Sequence, residues 1–113
     1  MDYIPNIVDA VCLKRITLPT KKHYAVLLDE IESDSLIEYR FLLVVFDDET
    51  DTVCLIVSSE VNTMVTESEH DSYFLGLFNN TGHINTGASD DWGDLPKFEK
   101  GAVDLAIKYL SDC

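Results

Sequence analysis

The stretch 36–59 constrains the fold more than any other part of the chain. Alternate residues of its first half form a wholly apolar face, made of Ile37, Tyr39, Phe41, Leu43 and Val45. The other face of this segment is polar at first and apolar towards its end, as in a central strand that becomes buried on both sides. An acidic turn at 47–51 then leads into a run rich in Val and Ile at 52–59. The pattern predicts a β-hairpin.

Three further segments are interpreted as strands. Residues 22–31 alternate less cleanly than 36–46, and their apolar positions also suit one face of a helix. Residues 11–18 end at Pro19 and predict another strand, with a short helix over 6–13 as the alternative. Residues 73–78 predict a short buried strand in which Gly76 marks a place where another backbone approaches closely.

The C-terminal segment has the clearest helical pattern. Apolar residues recur there at helical spacing, namely Leu95, Phe98, Ala102, Leu105, Ala106, Tyr109 and Leu110. Asp94 is placed to cap this helix, and Pro96 is tolerated in a first turn. Strands followed by one amphipathic helix predict an α+β fold. We expect a single domain over 1–113, with an antiparallel sheet of about four to five strands and the helix packed on one face.

The charge is strongly acidic and unevenly distributed. The chain of 113 residues carries a formal net charge of −13. Residues 41–96 contain eleven acids and no Lys or Arg. This balance argues against nucleic acid or an anionic membrane as a direct partner, because both require Lys and Arg on the contact surface. A field of this sign instead attracts a basic protein.

Two acidic groups in this middle region are the predicted partner-binding residues. One is the hairpin turn, with Asp47, Asp48, Glu49 and Asp51, and the other comprises Glu60, Glu67, Glu69 and Asp71. The alternating acids of the turn resemble the start of a calcium-binding loop, but Thr52 and Ser58 occupy the positions that need Gly and a bidentate Glu. The sequence therefore predicts an acidic surface rather than a calcium site.

Residues 79–94 are interpreted as a long polar loop between the last strand and the helix. Its candidate ligand-binding side chains are His83, Asn85, Ser89, Asp90, Asp91 and Trp92. A His beside carboxylates is suited to proton transfer, because imidazole titrates near neutrality. Turn formation and helix capping explain the same residues without a ligand. No catalytic residue, metal ligand or cofactor is predicted, and a non-enzymatic role is favoured.

Cysteine usage and the absence of export signals bear on the compartment. The three cysteines form no C-x-x-C pair, and Cys54 stands in an apolar run where a small core residue is expected. No signal peptide and no apolar run long enough for a membrane span are visible. We therefore expect reduced cysteines and a cytoplasmic protein.

Three functions remain open on this basis. The first is an acidic interaction domain that binds or inhibits a basic protein. The second is a small ligand-binding or enzymatic domain that uses the 79–94 loop. The third is a structural subunit that forms a homodimer through an open sheet face, where Tyr24, Tyr39, Phe41 or Phe46, if left uncovered, would mark the interface.

Overall fold

The computed structural model describes residues 7–34, 38–61, 73–79 and 82–110. Six strands follow one another as β1 (Ile7–Thr17), β2 (His23–Ser33), β3 (Tyr39–Asp47), β4 (Val53–Val61), β5 (Tyr73–Asn79) and β6 (Gly82–Ser89). They form one antiparallel sheet whose spatial order is the order of the sequence. A 3₁₀ turn (Asp90–Gly93) and a single α-helix, α1 (Leu95–Tyr109), complete these residues.

The helix packs against the sheet through three side chains spaced four residues apart. Phe98, Ala102 and Ala106 are fully buried, and the Phe98 ring lies 5.4 Å from that of Phe41 on β3. The side chain of Asp94 accepts a hydrogen bond from the Lys97 amide, as expected of a helix N-cap. The predicted α+β fold is thus confirmed, with six strands rather than four or five.

The sheet face opposite the helix is less open than predicted. Tyr39, Leu42, Ile56 and Phe78 lie together there, and none is more than 6% exposed. Phe41 is on the helix side, whereas Tyr24 and Phe46 stack on each other half-buried. The expected uncovered aromatic face is therefore not found among the described residues, because its rings pack on one another and on aliphatic side chains.

The strand predictions were correct in type and imprecise in extent. Of the predicted strand 11–18, residues 11–17 belong to the longer strand β1, and the helical alternative at 6–13 is wrong over residues 7–13. The main error concerns residues 79–94, where the predicted loop contains strand β6 and the 3₁₀ turn. Five of the eight β6 residues are exposed, so the strand lacks the apolar alternation that identifies a half-buried strand.

The oxidation state of Cys54 also differs from the prediction. Its side chain is buried, as expected of a core residue, but its sulfur takes part in a disulfide. Cys12 is exposed and has a free thiol. Persistent disulfides are typical of oxidising compartments, whereas disulfides of cytosolic proteins are usually transient. The expectation of fully reduced cysteines is therefore wrong for Cys54.

Candidate functional site

Strand β1 is an edge of the sheet and has an unusual surface. Within the described ranges four large apolar side chains are exposed, and three of them lie on this strand: Val8 at 61%, Val11 at 44% and Leu13 at 41%. On the opposite edge, β6, the single large aliphatic side chain is that of Ile84, which packs against the core. On the outer side of β1 no further described strand pairs with the backbone, and exposed apolar side chains lie on the same strand, so a further strand can add there.

A groove runs between this edge and the start of the helix. It has a volume of about 440 Å³ and is lined by Leu13, Lys14, Leu27, Leu95, Pro96 and Glu99. Lys14 Nζ lies 2.6 Å from Glu99 Oε1, so this ion pair joins the strand to the helix. Four of the six lining residues are apolar. The groove can therefore accept an apolar side chain of a molecule that lies along β1.

Acidic residues concentrate at the end of the sheet where β1, β3 and β5 begin. Apart from the buried Glu60, nine described residues with carboxylate side chains lie at or near this end: Asp9, Asp29, Glu30, Glu32, Asp34, Glu38, Asp90, Asp91 and Asp94. Arg40 and Lys97 lie beside them, and each is already in an ion pair, with Asp29 at 2.6 Å and with Asp91 at 3.3 Å. We call this region the acidic end. It includes the first half of β1.

The predicted acidic hairpin turn lies at the opposite end, where bases offset its charge. Arg15 lies 3.8 Å from Asp48, and the Asp48 amide donates to the backbone carbonyl of Lys22 in the β1–β2 turn. Asp51 accepts a hydrogen bond from the Tyr24 hydroxyl at 2.9 Å. This bond is the main cause that raises the pKa of Tyr24 above its ordinary value. Arg15 and the β1–β2 turn thus lie against this acidic turn and offset part of its charge.

Glu60 was predicted as a surface acid, but it is 5% exposed. Its Oε1 accepts a hydrogen bond from Ser58 Oγ at 3.2 Å and lies 3.1 Å from His83 Nε2. A Cβ added to Gly76 would lie within about 3 Å of all three polar atoms. Gly76 therefore makes the space that this cluster occupies. Glu67, Glu69 and Asp71 lie outside the described residues.

The Ser58–Glu60–His83 cluster has the parts of a proton-transfer site in an unusual order. Glu60 lies between Ser58 and His83, whereas a Ser nucleophile needs the imidazole beside its own hydroxyl. The His83 ring stacks on Phe78, with ring centroids 4.3 Å apart, and this contact and Glu60 fix its orientation. The arrangement explains how a buried carboxylate is stabilised, because a buried charge needs a paired and hydrogen-bonded partner.

The other candidate ligand-binding residues lie apart from His83. Asn85 and Ser89 accept hydrogen bonds from nearby backbone amides, of Gly87 and Asp91 respectively. Asp90 and Asp91 are exposed in the 3₁₀ turn. Trp92 packs on the helix side of the sheet, while His83 lies with Phe78 on the other side. The structure therefore does not bring these six side chains into one pocket.

One group of described residues can hold a metal ion. It consists of His23, Asp47 and Cys54, whose ligand atoms lie within 4.8 Å of one another. Sequence reasoning missed the group because its members come from three different strands and have no motif spacing. Sequence reasoning also missed Ser58 as a partner of Glu60. Ser58 and Glu60 are two residues apart on a predicted strand, and this spacing places both side chains on one face. It was the sequence signal that could have identified the pair.

Comparisons with protein families, with curated proteins and with solved structures find no match. No helix in the described part of the chain is long and apolar enough to cross a membrane.

Proposed function

We propose that this chain is a non-enzymatic interaction domain that binds a basic, extended segment of a partner protein along β1. The observation that carries the proposal is the edge strand itself, which holds three of the four exposed large apolar side chains. Its first half belongs to the acidic end. Backbone pairing, apolar contact and charge attraction are therefore available together on one surface.

The distribution of bases along β1 supports the choice of residues 7–13 as the half that binds. Natural edge strands are commonly protected from pairing by Lys, by bulges or by covering segments. Residues 7–13 contain no Lys or Arg, whereas Lys14 and Arg15 follow directly. Residues 7–13 are therefore the half of β1 without Lys or Arg, and the three register shifts in the pairing of β1 with β2 lie between Ile7 and Lys14. A partner with alternating basic and apolar residues complements this half.

The acidic residues add selectivity and speed to this contact. Opposite charges on two surfaces steer their encounter and suppress wrong partners, and salt weakens the effect. Apolar contact in the groove beside Leu13 supplies affinity that depends less on salt. We propose a cytoplasmic location, in which a nucleic-acid-binding protein or a nuclease is one class of basic partner.

The test is affinity capture with matched variants of the full chain. The tagged protein is incubated with nuclease-treated lysate of its source at low and at high salt, and retained proteins are identified by mass spectrometry. Leu13→Ser removes an apolar side chain from the edge, and Ile107→Ser removes a side chain of similar exposure (37%) from the helix. A second pair compares Glu30→Gln/Glu32→Gln at the acidic end with Asp48→Asn/Glu49→Gln at the hairpin turn.

We expect a basic protein that the unmodified chain retains at low salt and releases at high salt. Leu13→Ser should weaken its retention by about fivefold or more, as for an interface residue worth more than ~1 kcal/mol. Ile107→Ser and the hairpin variant should retain it. Equal retention by Leu13→Ser and Ile107→Ser would contradict the proposal.

A homodimer is the alternative use of the same surface. Two copies paired through β1 would bury the exposed valines in a symmetric contact. Sedimentation velocity distinguishes the two functions. A dimer that persists at high salt and dissociates in Leu13→Ser supports the homodimer, whereas a monomer supports a separate partner.

A further inference from the structure

The group formed by His23, Asp47 and Cys54 lies at the end of the sheet away from the acidic end. His23 on β2 is directly opposite Asp47 on β3, and Cys54 follows Val53, the β4 partner of Phe46. The three ligand atoms are within 4.8 Å of one another. In a tetrahedral zinc site, ligand atoms at 2.0–2.3 Å from the ion are about 3.3–3.8 Å apart. Side-chain movements of about 1 Å therefore suffice to form such a site.

Two of the three side chains make hydrogen bonds that restrict their orientation. Thr20 Oγ1 lies 3.0 Å from His23 Nδ1, which fixes the ring and leaves Nε2 without a partner in the described ranges. Asp47 Oδ1 accepts hydrogen bonds from the Glu49 and Thr50 amides at 2.8 and 3.2 Å. Metal-binding His and carboxylate groups typically have such supporting contacts.

Cys54 is the ligand that decides whether the site exists. Its sulfur is in a disulfide, and a disulfide sulfur is not the thiolate that binds zinc. We propose that reduction of the Cys54 disulfide creates a zinc-binding site formed by His23 Nε2, the Asp47 carboxylate and the Cys54 thiolate. A set of N, O and S ligands suits Zn²⁺, with water in the fourth position.

The reduction step is a thiol–disulfide exchange with a dithiol. The dithiol gives up two electrons and two protons and becomes a disulfide, while the bond at Cys54 breaks to leave two protein thiols. The Cys54 thiol then releases its proton to solvent as the metal binds. The domain thereby has two exclusive states, one with the disulfide and one with the metal.

Cobalt is the probe for this site, because its complexes with thiolate absorb in the near ultraviolet. The full chain carries Cys12→Ser so that the exposed free thiol of Cys12 does not contribute. One sample is oxidised, and the other is reduced with a dithiol and desalted without oxygen. Both are titrated with Co²⁺ and then with Zn²⁺, and circular dichroism follows the fold.

The reduced chain should bind one Co²⁺ with a thiolate-to-cobalt band, and Zn²⁺ should displace it because zinc binds more tightly. The oxidised chain should give no such band. His23→Gln and Asp47→Asn should each weaken Co²⁺ binding by about 100-fold or more. The reason is that loss of a residue that hydrogen-bonds to a metal ligand typically lowers metal affinity by about 10–100-fold, and loss of the ligand itself should cost more. Thr20→Val should weaken it about tenfold.

Two control variants test whether Co²⁺ binding depends on the proposed ligands rather than on any His or acid of the chain. His83→Gln alters a histidine on the other side of the sheet, and Asp48→Asn alters the acid next to Asp47, so both variants should bind Co²⁺ as the parent does. A reduced chain that stays folded without the band, or that loses its fold, would overturn the proposal. An unchanged band in His23→Gln would also overturn it.

Discussion

Gly76→Ala tests the polar cluster of Ser58, Glu60 and His83 at its most constrained point. The added methyl would lie 2.9 Å from His83 Nε2, 3.0 Å from Glu60 Oε1 and 3.1 Å from Ser58 Oγ. His83 is partly exposed at its side chain (34%) and can move into solvent. Ser58 and Glu60 are buried and have no such freedom.

The expected change in the free energy of unfolding for Gly76→Ala has three contributions. Overpacking in a close-packed interior costs about 1–3 kcal/mol. A weakened hydrogen bond to the buried Glu60 carboxylate adds about 1.5 kcal/mol. The lower entropy of the unfolded chain with Ala offsets roughly 0.5–1 kcal/mol of this. We expect a net loss of about 2–3 kcal/mol, which corresponds to a fall in Tm of about 8–12 °C for a domain of this size.

The assay is urea unfolding followed by the fluorescence of Trp92 and by far-ultraviolet circular dichroism. A double-mutant cycle with His83→Ala gives the more specific readout. Without the imidazole the methyl meets one polar atom fewer, so Gly76→Ala should cost about 1 kcal/mol less in that background. A change in stability below ~0.5 kcal/mol, or an equal cost in both backgrounds, would refute the reasoning.

Three further predictions concern the helix and the acid response. Phe98→Ala should lower the free energy of unfolding by about 3–5 kcal/mol in urea unfolding, because it leaves a cavity between α1 and β3; an effect under 1 kcal/mol would contradict the packing described. Asp94→Ala should cost about 1 kcal/mol by the same assay, since a helix N-cap is lost, whereas exposed Asp104→Ala is the matched control and should change little. The lowered pKa of Asp47 means that its contribution to stability is present above pH 3.8 and is lost as pH falls below that value. In thermal scans between pH 6 and 3, Asp47→Asn should therefore lose less Tm than the parent, and equal slopes would argue against this role.

The parts of the fold that sequence predicted are those whose burial pattern repeats. The hairpin β3–β4 has alternating apolar residues, and α1 has helical spacing together with Asp94 at its cap. Strand β6 has neither signal, because most of its residues are exposed. It forms a strand because it pairs with β5. Whether such an edge segment forms a strand depends on pairing with a neighbouring strand, and the local sequence pattern does not reveal that pairing.

The sites were harder to predict than the fold because they join residues from separate strands. Charge counted along the chain pointed to the hairpin turn, but Arg15 and the β1–β2 turn lie against that turn in space. Acids before residue 41, such as Glu30 and Glu32, instead lie at the same end of the sheet as Asp90 and Asp91. The sequence predicts an exposed Glu60 because nothing in it reveals the partner His83, which is 23 positions away.

The central claim is that residues 7–13 of β1 bind an extended basic segment. The most direct measurement is a titration of the ¹⁵N-labelled full chain with a peptide of alternating lysine and valine, followed residue by residue by NMR at low and at high salt. Strand addition should shift the β1 amides from Val8 to Leu13 and slow their hydrogen exchange, with a weaker effect at high salt. Shifts that centre on β6 or on the hairpin turn, or β1 amides that stay unchanged, would contradict the claim.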